Sequence, residues 1–350
     1  MRINLQAPIN QLGYGVAAIN ILKALQAKDV EVSFFPIGQP QVTNQADADA
    51  VRKGMQVAQT FDPQAPCVKI WHQNQMAERV GSGKFIGFPI FELDTFNDLE
   101  KHHLNSCDHL FVCSKWAKEI CLDQTRFGEH RVHVVPLGVD SELFPPAPAR
   151  DPDGKIIFFN CGKWEVRKGH DILIEAFKRV AEEVDNVELW MMTSNPFNTP
   201  EENARWYKLY NHPKVKFIPR AETQAEVYNI MTKVDLGIFP SRGEGWNLEL
   251  LEMMSVGKHV FATDYSAHTE FCTEENCGLI PVVELEPAFD GKWFHGHGKW
   301  AKISEYQIDS LARNMKYFAK NYKNDINSAG IETSKKFTWE NTANEILESI

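Results

Sequence analysis

The chain has 350 residues, 43% hydrophobic and 24% charged, enough for two domains of roughly 100–200 residues each with real cores. Its 37 basic residues against 47 acidic ones give a formal charge of −10, which argues against nucleic acid as a partner, because such proteins present a net basic face. Small anions stay open, since a few lysines suffice for one phosphate.

The first residues, Met1–Gln6, contain no basic region leading into an apolar run, so no signal peptide is expected. No stretch approaches about 18 uninterrupted apolar residues, so none is expected to span a membrane. Seven cysteines, an odd number without a CxxC pair, predict reduced thiols and a cytoplasmic location.

Short apolar runs predict strands in chain order at Ile3–Leu5, Val30–Phe35, Val68–Trp71, Phe85–Phe91, His109–Cys113 and Val132–Val135. The second half repeats the pattern at Ile156–Phe159, Val187–Met192, Val215–Ile218, Val234–Phe239 and His259–Ala262. Between the first two of these, Ile172, Leu173, Ala176, Phe177, Val180 and Val184 recur at helical spacing and form one apolar face. Strands separated by such helices predict an α/β fold with parallel sheets and helices on both faces. Four prolines between Leu143 and Gly154 break the pattern, which places a linker at 141–154. The expected domains are 1–145 and 146–330, with a final helix over 331–350.

Ligands in open α/β sheets sit beyond the carboxyl ends of the strands. After the first strand the glycine-rich Leu12–Ala18 formally matches G-x-G-x-x-A through Gly13 and Gly15, where the backbone can near a ligand. As a nicotinamide fingerprint it fails, because Val30–Phe35 ends in Phe-Phe-Pro rather than in an acid for a ribose. After the first strand of the second half, Lys163, Arg167 and Lys168 precede a helix beginning at Gly169, and basic side chains there can neutralise a diphosphate. Arg167 is the one of the three expected to be merely solvated. Phe294–Gly298 offers two histidines in a glycine turn without further ligands, and is read as a loop rather than a metal site.

The most specific stretch is Ser241–Lys258, after the strand Val234–Phe239. Glu244 stands between Gly243 and Gly245, and Glu252 follows eight residues later. If a helix begins near Asn247, its free N–H groups and positive dipole end can take phosphate or sugar oxygens through the amides of Trp246, Asn247 and Leu248. At ~1.5 Å rise per residue the two carboxylates stand up to ~12 Å apart, about the span from a sugar ring to the ribose of its activating nucleotide. On these residues alone, a dipole partner at Glu244 and a solvated Glu252 remain an equal alternative.

Together these motifs resemble the retaining glycosyltransferases of family four (glycosyl transferases group 1). Pro240–Glu252 is similar to that family's E-x7-E element, and Gly162-Lys163 with Lys168-Gly169 is similar to its G-R…K-G element with lysine for arginine. Val134–Phe144 and Phe337–Glu340 look like the closing segment of its first domain and the start of its last helix. The resemblance implies a GT-B fold: two facing Rossmann-like domains, with the C-terminal helix crossing back to the first. It further implies that Glu244 holds a hydroxyl of the transferred sugar, Glu252 holds the ribose, and Lys163, Lys168, Gly245 and Trp246–Leu248 hold the sugar and diphosphate. Arg220 corresponds to a loop beside the base, with a plain surface arginine as its alternative. Where many members carry a first-domain histidine, Phe88–Asp94 offers Glu92 and Asp94 instead; Glu92 ranks first to orient the acceptor or assist its deprotonation, with His72 as the other candidate. The implied reaction moves a sugar from a nucleotide-sugar to a carbohydrate, lipid-linked or other small acceptor, with no cofactor and no metal. A non-catalytic nucleotide-sugar-binding relative and a GT-B epimerase or phosphorylase are the rivals.

Overall fold

The computed structural model describes residues 1–151 and 154–350; Pro152 and Asp153, within the expected linker, lie outside the described residues. The chain divides into two compact units, Met1–Gly138 with Phe337–Ile350, and Val139–Lys336.

Unit 1 runs β1 (Arg2–Ala7), α1 (Gly13–Ala27), β2 (Glu31–Pro36), α2 (Gln45–Ala58), β3 (Cys67–Ile70), β4 (Phe85–Phe88), α3 (Asp98–Leu104), β5 (His109–Val112), α4 (Lys115–Gln124) and β6 (Val132–Val134). Its strands form one parallel sheet in the order β2-β1-β3-β4-β5-β6. β3 and β4 are buried along their whole length, which requires cover on both faces and explains why all their side chains but that of Lys69, which donates to Glu78 O at 2.8 Å, are apolar.

Unit 2 runs β7 (Ile156–Gly162), α5 (His170–Glu183), β8 (Val187–Thr193), α6 (Pro200–Leu209), β9 (Val215–Phe217), α7 (Gln224–Met231), β10 (Leu236–Phe239), α8 (Leu248–Ser255), β11 (His259–Thr263), β12 (Gly278–Ile280), β13 (Leu285–Phe289), β14 (His295–Ala301), α9 (Glu305–Asn321) and α10 (Ser328–Ser334). The last helix, α11 (Trp339–Ser349), belongs to unit 1. The main sheet of unit 2 is parallel, in the order β12-β11-β10-β7-β8-β9. Counted from β7 that is the 3-2-1-4-5-6 order of a Rossmann sheet, whose strand order reverses between β7 and β10. Helix α5 buries the apolar face read from its spacing, packing Leu173, Phe177 and Val180 with Phe158 and Leu189 of the sheet and with Leu311 and Met315 of α9.

Three strands were not legible. β12 is three residues long, and β13–β14 form a separate antiparallel ribbon. Phe294–Gly298, expected as a loop, is largely strand: His295 pairs with Phe289 at the start of β14. Gly296 and Gly298, at φ of 87° and 71°, hide the strand from any alternating pattern. The proline-rich stretch also differs from a free linker. Ala147 donates its N–H to Val256 O at 3.0 Å and Ser255 Oγ donates to Phe144 O at 2.7 Å, so this segment is tied into unit 2.

Candidate functional site

The loops after β7 and β10 meet where the strand order of unit 2 reverses, the place where an open α/β sheet leaves a crevice. Gly169 shows how close the approach is. Its φ is +70°, and a Cβ there would run into the Pro240 carbonyl. Arg242 fastens the two loops further, its guanidinium donating to both oxygens of Asp171 at 2.8 and 2.7 Å and to Val166 O at 2.6 Å.

Glu244 sits in this junction, 4% exposed. Its Oε1 accepts from Ser241 Oγ at 2.7 Å and pairs with Lys168 Nζ at 2.8 Å, while Oε2 accepts from Arg167 at 2.8 Å. Burial alone would raise its pKa, but Lys168 and Arg167 hold it well below the usual carboxylate range. The peptide of Glu244 is clamped from the turn after β11: its N–H donates to Ser266 Oγ at 2.9 Å and its carbonyl accepts from Ala267 N at 3.2 Å.

Arg167, expected to be solvated, is the sharpest correction. It is 5% exposed and bridges Glu165 and Glu244, donating to each at 2.8 Å and to Gly243 O at 2.8 Å. Glu165 in turn pairs with Lys163 at 2.8 Å. Three cations and two carboxylates therefore interlock at the end of the two strands. His170 shapes this loop while staying neutral: burial pulls its pKa down to about 3, its Nδ1 accepts from Glu165 N, and its Nε2 faces Asn160 Oδ1 at 3.0 Å.

Helix α8 begins where the spacing places it. Asn247 is its N-cap, at the unusual φ of 89° for a residue with a side chain. Its Oδ1 accepts from Leu250 N at 3.3 Å, and its side-chain amide meets His268 Nε2 at 2.9 Å. One orphan amide of the helix start is thus capped, and the end still projects its dipole into the junction. Gly245 and Trp246 are buried, with Trp246 packed 5.0 Å from Phe271, while Leu248 is half-buried. Glu252, one of whose two readings was a solvated side chain, is 7% exposed. Burial pushes its pKa up to about 8, and the charge of Glu249 one turn earlier adds to the rise. Glu249 Oε1 and Lys168 Nζ both lie near Gly162, so the first turn of α8 and the lysine come together at the end of β7. Arg220 is exposed on the loop between β9 and α7.

In unit 1 the first strand-order reversal lies between β1 and β3. Gly13 and Gly15 open α1, and Gly15 is held small by the backbone of Asn10, whereas Gly13 has open space around it. Tyr14 between them, absent from the sequence reading, gathers the rest. Its hydroxyl donates to Ile90 O at 2.7 Å, its ring lies 4.8 Å from His72, and Glu92 is close enough to raise its pKa further after burial has done so. Among the described residues no group of three or more His, Cys, Asp or Glu is arranged to hold a metal, and no helix is long and apolar enough to cross a membrane.

Residues 154–288, which contain the junction, match the family Glycosyl transferases group 1. The chain is 24% identical over 269 residues to the D-inositol 3-phosphate glycosyltransferase of Stackebrandtia nassauensis, covering 71% of this chain and 55% of that protein. A second D-inositol 3-phosphate glycosyltransferase, from Xylanimonas cellulosilytica, is 30% identical over 148 residues, 38% of this chain and 34% of its own. The chain spans about half the length of the curated relatives it matches. In fold it is similar to a sucrose-phosphate synthase from Thermosynechococcus elongatus (TM-score 0.71, 15% identity, 99% of this chain and 98% of that one). The HepE protein of Anabaena in complex with UDP-glucose is similar to the same degree, at TM-score 0.71 and 15% identity over 99% and 98% of the chains. Two parallel-sheet Rossmann-like domains, as in GT-B glycosyltransferases, are therefore the fold of this chain.

Proposed function

We propose that the protein is a retaining, metal-independent glycosyltransferase that moves a sugar from a nucleotide-sugar to a carbohydrate, lipid-linked or other small acceptor. The observation that carries this reading is the pair of buried carboxyls, Glu244 and Glu252, placed on either side of the start of α8, the first of them paired with Lys168. Relatives described as glycosyltransferases and a neighbour bound to UDP-glucose support a nucleotide-sugar as the donor class. In this reading Glu252 holds the ribose, Glu244 a hydroxyl of the sugar, and Lys163 and Lys168 share their charge between their carboxylate partners and the diphosphate. The reaction passes through an oxocarbenium-like state, and the groups around the diphosphate stabilise the charge that grows there as the bond breaks. The departing phosphate takes the acceptor's proton on the same face of the sugar, so the anomeric configuration is kept. Glu92, with His72 behind it, is proposed to orient the acceptor.

The test separates the two carboxyls. Glu252→Gln is expected to weaken a nucleoside diphosphate and the nucleotide-sugar alike, whereas Glu244→Gln leaves the diphosphate nearly untouched and cuts turnover. Calorimetry with both ligands on both folded variants decides it; equal losses throughout would reduce the carboxyls to supports of the helix. Turnover is further expected to survive EDTA. Loss of activity that magnesium or manganese restores would transfer the role of the lysines to a metal.

A further inference from the structure

Unit 2 holds a second concavity, walled by the Trp164–Val166 stretch of the β7–α5 loop, by α6 and by the turn joining β13 to β14. Its volume is about 360 Å³, within the range of small-molecule sites and roomy enough for a sugar ring. The apolar wall is aromatic: Trp164 and Trp206 stack with centroids 5.3 Å apart and planes 10° from parallel. At the hairpin turn Trp293 is 51% exposed, and its edge-on neighbour Phe197 is 52% exposed. Lys292 Nζ stands over the Trp293 ring, 5.5 Å from its centroid, and the half of that ring left in water offers the kind of surface that the C–H face of a pyranose covers.

The polar groups favour a neutral ligand over an anion. Lys292 Nζ already donates to Phe197 O, Asn198 Oδ1 and Glu202 Oε2, at 2.8, 3.1 and 2.6 Å, so its three donors are used and its charge is balanced. Asp290 accepts from the N–H groups of Lys292, Trp293 and Phe294 through one oxygen, and its second oxygen adds acceptor capacity to a cavity that Arg205 of α6 also lines. Trp164 carries a buried indole N–H with no acceptor among the described residues. Donors and acceptors interspersed among aromatic rings, with acids outnumbering available cations, suit hydroxyls rather than phosphate.

We propose that this cavity is a saccharide subsite for a neutral hexose unit of a glycan, separate from the cation cluster of the β7–β10 junction. Glu165 lies between the two: it lines the cavity and pairs with Lys163 and Arg167, whose guanidinium holds Glu244. A glycan unit bound here stands one carboxylate away from the junction, as befits a part of an acceptor or product chain that does not itself react.

The experiment titrates the full chain with neutral trisaccharides of glucose, mannose, galactose and N-acetylglucosamine, by calorimetry, without nucleotide. At least one is expected to bind, and Trp293→Ala and Arg205→Ala to weaken it by roughly 2- to 10-fold, the range of one aromatic contact. Nucleoside diphosphate affinity should be the same in both variants, and Trp293→Phe should recover part of the loss. Binding by none of the trisaccharides, or binding that neither alanine variant disturbs, overturns the proposal. So does a Trp293-dependent dimer in sedimentation, which would assign the aromatic turn to a second copy of the chain. Because nucleotide is absent from the titration, failure of the nucleotide-sugar reading leaves this outcome unaffected.

Discussion

Glu244 and Glu252 are both buried carboxyls eight residues apart, yet their protons are held in opposite ways. Glu244 faces Lys168 and Arg167 and stays ionised, while burial and the charge of Glu249 push Glu252 up to about 8. A folded-state pKa raised above the ordinary 4.5 means that the folded protein keeps a proton which the unfolded chain releases. The stability tied to that proton is complete below about pH 4.5 and is lost as pH rises toward 8. Ribose hydroxyls donating to this side chain favour its ionised form, so ligand should bind more tightly as pH climbs. Nucleoside diphosphate affinity at pH 7 is expected to be roughly tenfold below its plateau above pH 8, with proton release on binding. Calorimetry in buffers of different ionisation enthalpy measures the release, and Glu252→Gln removes the contribution of the carboxyl while leaving that of the phosphate. A variant that keeps the wild-type pH dependence would discharge Glu252 from this role. The same residues show what could be read in advance. The spacing of the two glutamates was legible because a helix start fixes its geometry. The role of Arg167 was not, because it depends on which way one side chain turns in a loop. Ser266 and His268, which clamp Glu244 and Asn247, come from the turn after β11 and leave no local signal.

At the scale of elements, short, mainly apolar runs marked β1 to β11 within a residue or two at most boundaries, because the inner strands of a parallel sheet covered on both faces demand them. β13 and β14 escaped because a two-stranded ribbon half in water needs no such run, and Pro287 and two glycines interrupt it. The junction of β7, α5, β10 and α8 rests on a glycine whose role is geometric. Gly169 occupies the left-handed region as the N-cap of α5 and lies against Pro240. Gly169→Ala is expected to cost ~1–3 kcal/mol from the backbone alone, and the clash with the Pro240 carbonyl adds to that. Pushing the two loops apart also breaks the reach of Lys168 to Glu244. The variant should therefore melt several degrees lower and lose diphosphate affinity together, as thermal melts with and without ligand would show. A lower melting point with unchanged ligand affinity would mean that the loops reseat without the close contact.

At the scale of the molecule, unit 1 is assembled from both ends of the sequence. Its sheet is complete by Val134, yet α11 returns more than 200 residues later to bury Trp339, Ala343 and Ile346 in the same unit, where α11 packs against α1. Gly138 marks the place where the returning chain passes, since a Cβ there would meet the backbone of Thr338 and Trp339. Thr342 Oγ1 then donates to Pro136 O at 2.7 Å. A fully buried large apolar side chain contributes ~1.5–3 kcal/mol, so removing residues 337–350 should take several kcal/mol from unit 1 and little from unit 2. Hydrogen exchange followed by mass spectrometry reads the two separately. Amides of α1, β1 and β3 should lose protection in the truncated chain while those of α5, β7 and β10 keep theirs. Equal loss in both units would show that their stabilities are coupled, and no loss in either would show that the helix packs without stabilising what it covers.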